Sequence, residues 1–292
     1  MRPAIQLYTL RHLDEPLPAL IERVATAGFE GVEFANRFMD TDPEAVRERL
    51  DATGTVPVAA HVDLELLETF PDSLRERAET VGVERFIIPH ISIDHYRTAD
   101  RLDSLIDRLT QVSTQLDGAG YRLGIHTDRL LLFPFFHRGV VAQLNRINGL
   151  PTGAYNHLAW GVSRSVPRTE ATLLESSALG RIASQTPDID LEIDVKSIAQ
   201  SGFSYETVFE TFADTLSMIH LSDVEQTRRF PPAYRPVDIG DGIVSPAAAL
   251  AALERRPVTW IVTEHDAPDD PIDALERCAA AVSAGNISLP RH

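Results

Sequence analysis

The sequence predicts a single (β/α)8 TIM barrel spanning residues 1–292, with a long insertion after the fifth strand. Three observations carry this reading. Short apolar runs of strand length recur along the chain, and stretches with helical spacing separate them. Eight such runs fit into 292 residues, near the roughly 250 typical of one barrel. Several of the runs stop on His, Asp or Glu. A run buried on both faces reads as parallel sheet, and an acid or imidazole at its end cannot continue that burial. Those side chains therefore belong at the strand mouths, where barrels of this class keep their chemistry. An open doubly wound sheet is the alternative, and the lack of a Gly-rich phosphate loop after the first strand counts against it.

In chain order, Pro3 to Tyr8 reads as the first strand, and Leu17, Leu20, Ile21 and Val24 mark a helix that stops at Gly28. Gly31 to Ala35 is the second strand. Asp42-Pro43 then opens a helix to Gly54, with Asp as the cap and Pro in the first turn. Val56 to Val62 is the third strand, Arg85 to His90 the fourth, and Ala99 to Gly120 a long amphipathic helix. The fifth strand is Tyr121 to Asp128, the sixth Asp190 to Val195, the seventh Ser217 to Asp223 and the eighth Thr259 to Asp266. A helix over Ala274 to Ala284 closes the chain.

The segment from about 128 to 168 breaks the repeat, because the usual loop after a barrel strand is only a few residues long. Its Phe133, Phe135, Phe136, Tyr155 and Trp160 argue against disorder. Two readings follow: an insertion over the barrel mouth, folded as a hairpin, or a surface for self-association that makes the protein a homodimer.

Composition narrows the function. The net charge is −16, which opposes binding to nucleic acid, and Lys196 is the one lysine among 27 basic residues. An excess of carboxylates suits a halophilic protein in a saline cytoplasm; a GC-rich genome that writes Arg for Lys is the alternative, and it explains the missing lysines but not the carboxylates. No apolar run reaches the ~20 residues that span a bilayer, and the chain does not start like a secretion signal, so a cytoplasmic protein without a membrane partner is expected. Cys278 is the single cysteine, which excludes internal disulfides and cysteine metal cages.

Together the motifs resemble those of the xylose isomerase-like barrels, the sugar phosphate isomerase/epimerase superfamily. The resemblance runs from Ala27-Gly28-Phe29-Glu30-Gly31-Val32-Glu33-Phe34 through Ala60-His61-Val62, Tyr96 to Asp100 and Arg122-Leu123-Gly124-Ile125-His126. It continues with Leu191-Glu192-Ile193-Asp194-Val195, His220-Leu221-Ser222-Asp223, Gly240 to Val244 and Val262-Thr263-Glu264-His265-Asp266. It implies one divalent ion, manganese, magnesium, cobalt or zinc, with Asp194, His220 and Glu264 as three ligands. The family's fourth ligand, a Glu on the fifth strand, is missing, so His126, or Asp128 as substitute, is expected to complete the set. Ser222 stands where many members carry a lysine that binds an acidic or carbonyl group.

Glu33, His61, His90 and Asp223 are expected to contact substrate, Glu264 and His126 to be catalytic, and His157 to reach the site from the insertion. The implied activity is isomerisation or epimerisation of a sugar, sugar phosphate or cyclitol, through proton abstraction beside a carbonyl and an enediolate. Alternatives are a dehydratase (lyase) acting on a keto-sugar or keto-cyclitol, and a catalytically inactive sugar-binding barrel. A related branch that cleaves DNA at abasic sites with three zinc ions needs more ligands and a basic groove.

Overall fold

The computed structural model describes residues 1–35, 37–137, 149, 151–230, 232–254, 256 and 258–284. Eight parallel strands close into a barrel: β1 (Arg2–Gln6), β2 (Gly31–Phe34), β3 (Val56–His61), β4 (Arg85–Ile88), β5 (Arg122–His126), β6 (Asp190–Asp194), β7 (Leu216–Leu221) and β10 (Trp260–Thr263). Neighbours follow chain order around the barrel, and β1 closes it against β10, with Ala4 beside Val262 and Ile5 beside Thr263. The remaining strands, β8 (Asp223–Arg229) and β9 (Pro232–Val237), form an antiparallel hairpin directly after β7.

Strand alternation sorts the side chains into two cores. Ile5, Val32, Phe86, Ile88, Leu123, Ile125, Leu191, Ile193, Ile219 and Ile261 pack under the helices in one large buried cluster. Ala4, Val58, Ala59, Ile87, Met218, Trp260 and Val262 form a separate small cluster inside the barrel. The interior turns polar at both ends. At one end Asp190 accepts from Arg85 Nε at 2.7 Å and from Arg122 Nε at 2.8 Å. At the other lie Gln6, Glu33, Glu192, Asp194 and His220, all 0% exposed. Gly31 leaves room for this inner core, since a Cβ there would come within 2.6 Å of Val58 and 2.8 Å of Trp260.

The helices follow the expected signals. Helix α1 (Leu17–Thr26) buries Leu17, Leu20, Ile21 and Val24, and Gly28 after it has a φ of +94°. In α2 (Pro43–Thr53) the Asp42 side chain accepts from the Glu44 N–H, and Gly54 ends the helix in the left-handed region. After β3 come α3 (Leu64–Thr69) and α4 (Asp72–Val81), and after β4 comes α5 (Ala99–Gly118). The last helix, α13 (Pro271–Ala284), begins three residues earlier than the sequence suggests.

Between β5 and β6 the described residues form helices, not a hairpin. They are α6 (Arg129–Leu132), α7 (Thr152–Ser163), α8 (Glu170–Ser176) and α9 (Ala178–Gln185), while residues 138–148 and 150 lie outside the described set. The aromatic side chains turn inward as well. Phe133 and Tyr155 are 0% exposed and Phe135 is 1% exposed, and Tyr155 Oη donates to the Arg97 carbonyl at 3.1 Å. Phe136 and Trp160 are partly buried, while Leu158 on α7 and Phe230 are 45% and 66% exposed. Among the described residues the hairpin is β8–β9, followed by α12 (Pro246–Leu253), with α10 (Val195–Ser201) and α11 (Tyr205–Thr211) lying between β6 and β7. Among the described residues no helix is long and apolar enough to cross a membrane.

Candidate metal centre

The inward positions of β5, β6, β7 and the end of β10 converge at one mouth of the barrel. Register places Asp194 beside His220 and His126 beside Glu192, with Val262 of β10 facing His220 and Glu264 two residues further on. One donor atom from each of His126, Asp194, His220 and Glu264 lies within 4.8 Å of the others. His220 Nδ1 is 3.3 Å from Glu264 Oε2, and His126 Nε2 is 3.8 Å from Asp194 Oδ2. Atoms that share an ion at about 2.0–2.2 Å stand roughly 3–4.4 Å apart, so a contraction of tenths of an ångström closes this set. Asp194 Oδ2 is buried, and its close polar neighbour besides His126 is the Lys196 ammonium at 2.8 Å, so the oxygen already faces a cation.

A second group, His61, His126, Glu192 and His220, is equally close. Its separations are those of hydrogen bonds: His126 Nδ1 to Glu192 Oε2 is 2.8 Å, and His61 Nε2 to the same oxygen is 3.0 Å. His220 Nε2 meets Glu33 Oε2 at 2.7 Å. Each histidine of the first set therefore has its far nitrogen on a buried carboxylate, His126 on Glu192 and His220 on Glu33. Metal-ligating histidines are commonly oriented in this way. Gln6 Nε2 donates to Glu33 Oε2 at 2.6 Å and fixes the underside of the network. The donor set of two imidazoles and two carboxylates fits a borderline divalent ion.

Burial and charge oppose each other throughout. Burial and the neighbouring Glu192 raise the Glu33 carboxyl, against the pull of His61 and His220. Burial would raise Glu192 too, but His220, His61 and His126 hold it well below the usual carboxylate range. Burial disfavours the His220 cation, yet Glu192 and Glu33 outweigh it and raise its pKa well above the usual value. Glu264 is likewise held low despite burial, chiefly by the Lys196 ammonium and then by His220.

Other expected residues have different tasks. Asp128 is not part of the ligand set. Its Oδ1 caps α6, accepting from Leu130 N at 2.7 Å and Leu131 N at 3.2 Å, and its Oδ2 is 3.4 Å from His90 Nδ1. His90 is exposed at the rim, and His157 is exposed on α7. Asp223 does not face the mouth: its carboxylate accepts the backbone N–H groups of Val224, Gly240, Gly242 and Val244 at 2.7–3.0 Å and ties down the loop after the hairpin. Glu33 is 0% exposed and lies against the His61 and His220 rings, at 3.3 and 2.7 Å from their Nε2 atoms. His61 lines the mouth with Tyr8, His90, His126, Glu264 and Asp266, around a cavity of about 450 Å³.

Glu192 and Gln6 are not among the expected site residues, although strand alternation with Asp194 and Ala4 places both inside the barrel. Lys196 is likewise a site residue beyond those expected. Lys196 Nζ lies 2.8 Å from Asp194 Oδ2, 3.6 Å from Glu264 Oε2 and 2.7 Å from Asp266 Oδ2. Ser222, in the position noted for a lysine, donates to Asp194 Oδ1 at 2.8 Å.

No protein-family model matches the sequence, and no curated protein matches it. Many solved structures that share the fold are xylose isomerase-like or sugar phosphate isomerase/epimerase barrels. A sugar phosphate isomerase/epimerase from Parabacteroides distasonis is 14% identical, with a TM-score of 0.68 over 98% of this chain and 94% of that one. The IolI protein, described with a bound zinc atom, is 14% identical, with a TM-score of 0.69 over 98% of each chain. The probable 3-DHS dehydratase AsbF from Bacillus anthracis is 12% identical, with a TM-score of 0.67 over 97% of this chain and 99% of that one. At these identities the likeness establishes the barrel fold.

Proposed function

We propose that this protein is a metal-dependent isomerase or epimerase of a small sugar, sugar phosphate or cyclitol, working by proton abstraction beside a carbonyl. The observation that carries the reading is the convergence of His126, Asp194, His220 and Glu264 at the mouth of a cavity of small-molecule size, with both histidines braced from behind by buried carboxylates. Those four residues would hold the ion. When bound, a divalent ion supplies Lewis-acid stabilisation of negative charge on a substrate oxygen.

The rest falls to the chain's own side chains. Glu264 takes the proton: Oε2, the oxygen 3.3 Å from His220 Nδ1, belongs to the ligand set, and Oε1 is the oxygen assigned to the proton. His61, with its Nε2 held by Glu192 and its Nδ1 facing Gln6 Nε2, shapes the wall of the cavity with its ring. Glu33 and Glu192 keep the histidines in the tautomers that point Nδ1 of His220 and Nε2 of His126 at the mouth. Return of the proton to the neighbouring carbon gives an isomerase, and return to the opposite face gives an epimerase. Loss of a β-hydroxyl from the same enediolate gives a dehydratase, and the fold matches a dehydratase and an isomerase/epimerase equally well, at TM-scores of 0.67 and 0.68.

Two measurements test this. Protein purified without chelator should carry a stoichiometric divalent ion by elemental analysis. In D2O it should exchange the proton beside the carbonyl of a ketose or inosose panel, followed by NMR, which also separates isomerised from dehydrated product. An ion-free protein with no exchange on any member would leave a sugar-binding barrel.

A further inference from the structure

Lys196 is the single lysine of the chain, where the other 26 basic residues are arginines, and it lies in the metal centre. Its side chain is only 15% exposed, and Asp194, Glu264 and Asp266 surround its amine at 2.8, 3.6 and 2.7 Å. The oxygens matter individually. Asp194 Oδ2 faces both Lys196 Nζ and His126 Nε2, and Glu264 Oε2 faces both Lys196 Nζ and His220 Nδ1. The ammonium thus sits on the two carboxylate oxygens that the ligand set offers to an ion. A divalent cation and an ammonium cannot share them, because like charges a few ångströms apart in a poorly solvated site repel strongly. Arginine would serve less well, since its planar fork is larger and less able to withdraw than a point charge on a flexible stem.

We propose that Lys196 is a tethered cation that occupies the carboxylates of the metal centre in the ion-free protein and gives up Asp194 and Glu264 to the incoming divalent ion, keeping its contact with Asp266. This rests on the metal centre proposed above and adds a regulation to it. The ion-free protein needs no ion to stay folded, because its buried carboxylates already have a counter-charge. That protection lowers ion affinity, since every binding event must break two ion pairs of Lys196.

The test compares wild type with Lys196→Met, which keeps most of the side-chain volume and removes the charge, by calorimetric titration with Mn2+ and with Zn2+ after chelator treatment. The variant should bind at least tenfold more tightly. Its ion-free melting temperature should fall below that of wild type and rise more on addition of the ion. Lys196→Arg, which keeps the charge, should not gain affinity. If Lys196→Met does not fold without an ion, its recovery on refolding with Mn2+ or Zn2+ supports the exchange, and failure with both overturns it. Equal or weaker affinity in Lys196→Met overturns this inference alone and leaves the metal centre standing. Absence of binding to wild type and variant alike removes both.

Discussion

At the scale of single residues, the centre separates groups that would touch the ion or substrate from groups that position them. Glu264→Gln keeps size and hydrogen bonding but removes the base, so proton exchange should fall at least 100-fold while the circular dichroism spectrum and melting curve stay close to wild type. Unchanged exchange takes Glu264 out of the mechanism. Glu192→Gln acts one bond further away. It weakens the charge-assisted bond to His126 Nδ1, and loss of such a partner commonly costs ion affinity 10–100-fold, read by the same titration. Cys278 gives a control remote from this chemistry. It is 3% exposed, and burial pushes its thiol up to about 12. At pH 8 only about one thiol in ten thousand is then ionised, so Ellman's reagent should react with unfolded but not with native protein.

At the scale of elements, a strand end tells which residues reach the mouth and says little about what they do there. His61, His126, Asp194, His220 and Glu264 were legible because each lies at or near the end of an apolar run. Asp128, His90 and Asp223 ended runs too, but the next residues claimed them: α6 took Asp128 as its cap, and the loop after β9 took Asp223. Glu192 was hidden inside Asp190-Leu191-Glu192-Ile193-Asp194, where only strict alternation distinguishes an inward acid from a surface one. The β8–β9 hairpin gave no warning, because the sequence from Asp223 to Val237 carries no Gly or Asn to signal a tight turn and β8 is mostly polar. The assignment of Asp223 to loop structure is testable. Asp223→Ala strands four backbone donors and should destabilise the protein by about 2–4 kcal/mol, seen as a lower denaturation midpoint, with ion affinity near wild type. A large affinity loss without destabilisation would return it to the site. Gly180→Ala probes packing between helices alone. A Cβ there would run into the Leu173 and Leu174 carbonyls of α8, and overpacking against backbone costs about 1–3 kcal/mol.

At the scale of the whole molecule, the charge of −16 sets two effects of salt against each other. Arginine–carboxylate pairs such as Arg47–Asp51, Arg75–Asp72, Arg108–Glu68 and Arg277–Asp273 lie largely at the surface, and screening weakens them. Exposed pairs of this kind contribute about 0–1 kcal/mol each, so little stability is lost with them. Screening also relieves the mutual repulsion of the unpaired carboxylates, and that relief acts on the whole surplus at once. The screening length shrinks from about 10 Å at 0.1 M salt to about 3 Å at 1 M, shorter than the spacing of most surface charges. Repulsion should therefore lose more than attraction, and the melting temperature should climb as NaCl is raised from 0.1 to 1 M. Scanning calorimetry across that range, with ion-free protein so that salt cannot act through the metal centre, reads the balance directly. A rise supports adaptation to a saline interior. A fall would mean that the arginine pairs outweigh the repulsion, and that the scarcity of lysine reflects a preference for arginine with no bearing on salt.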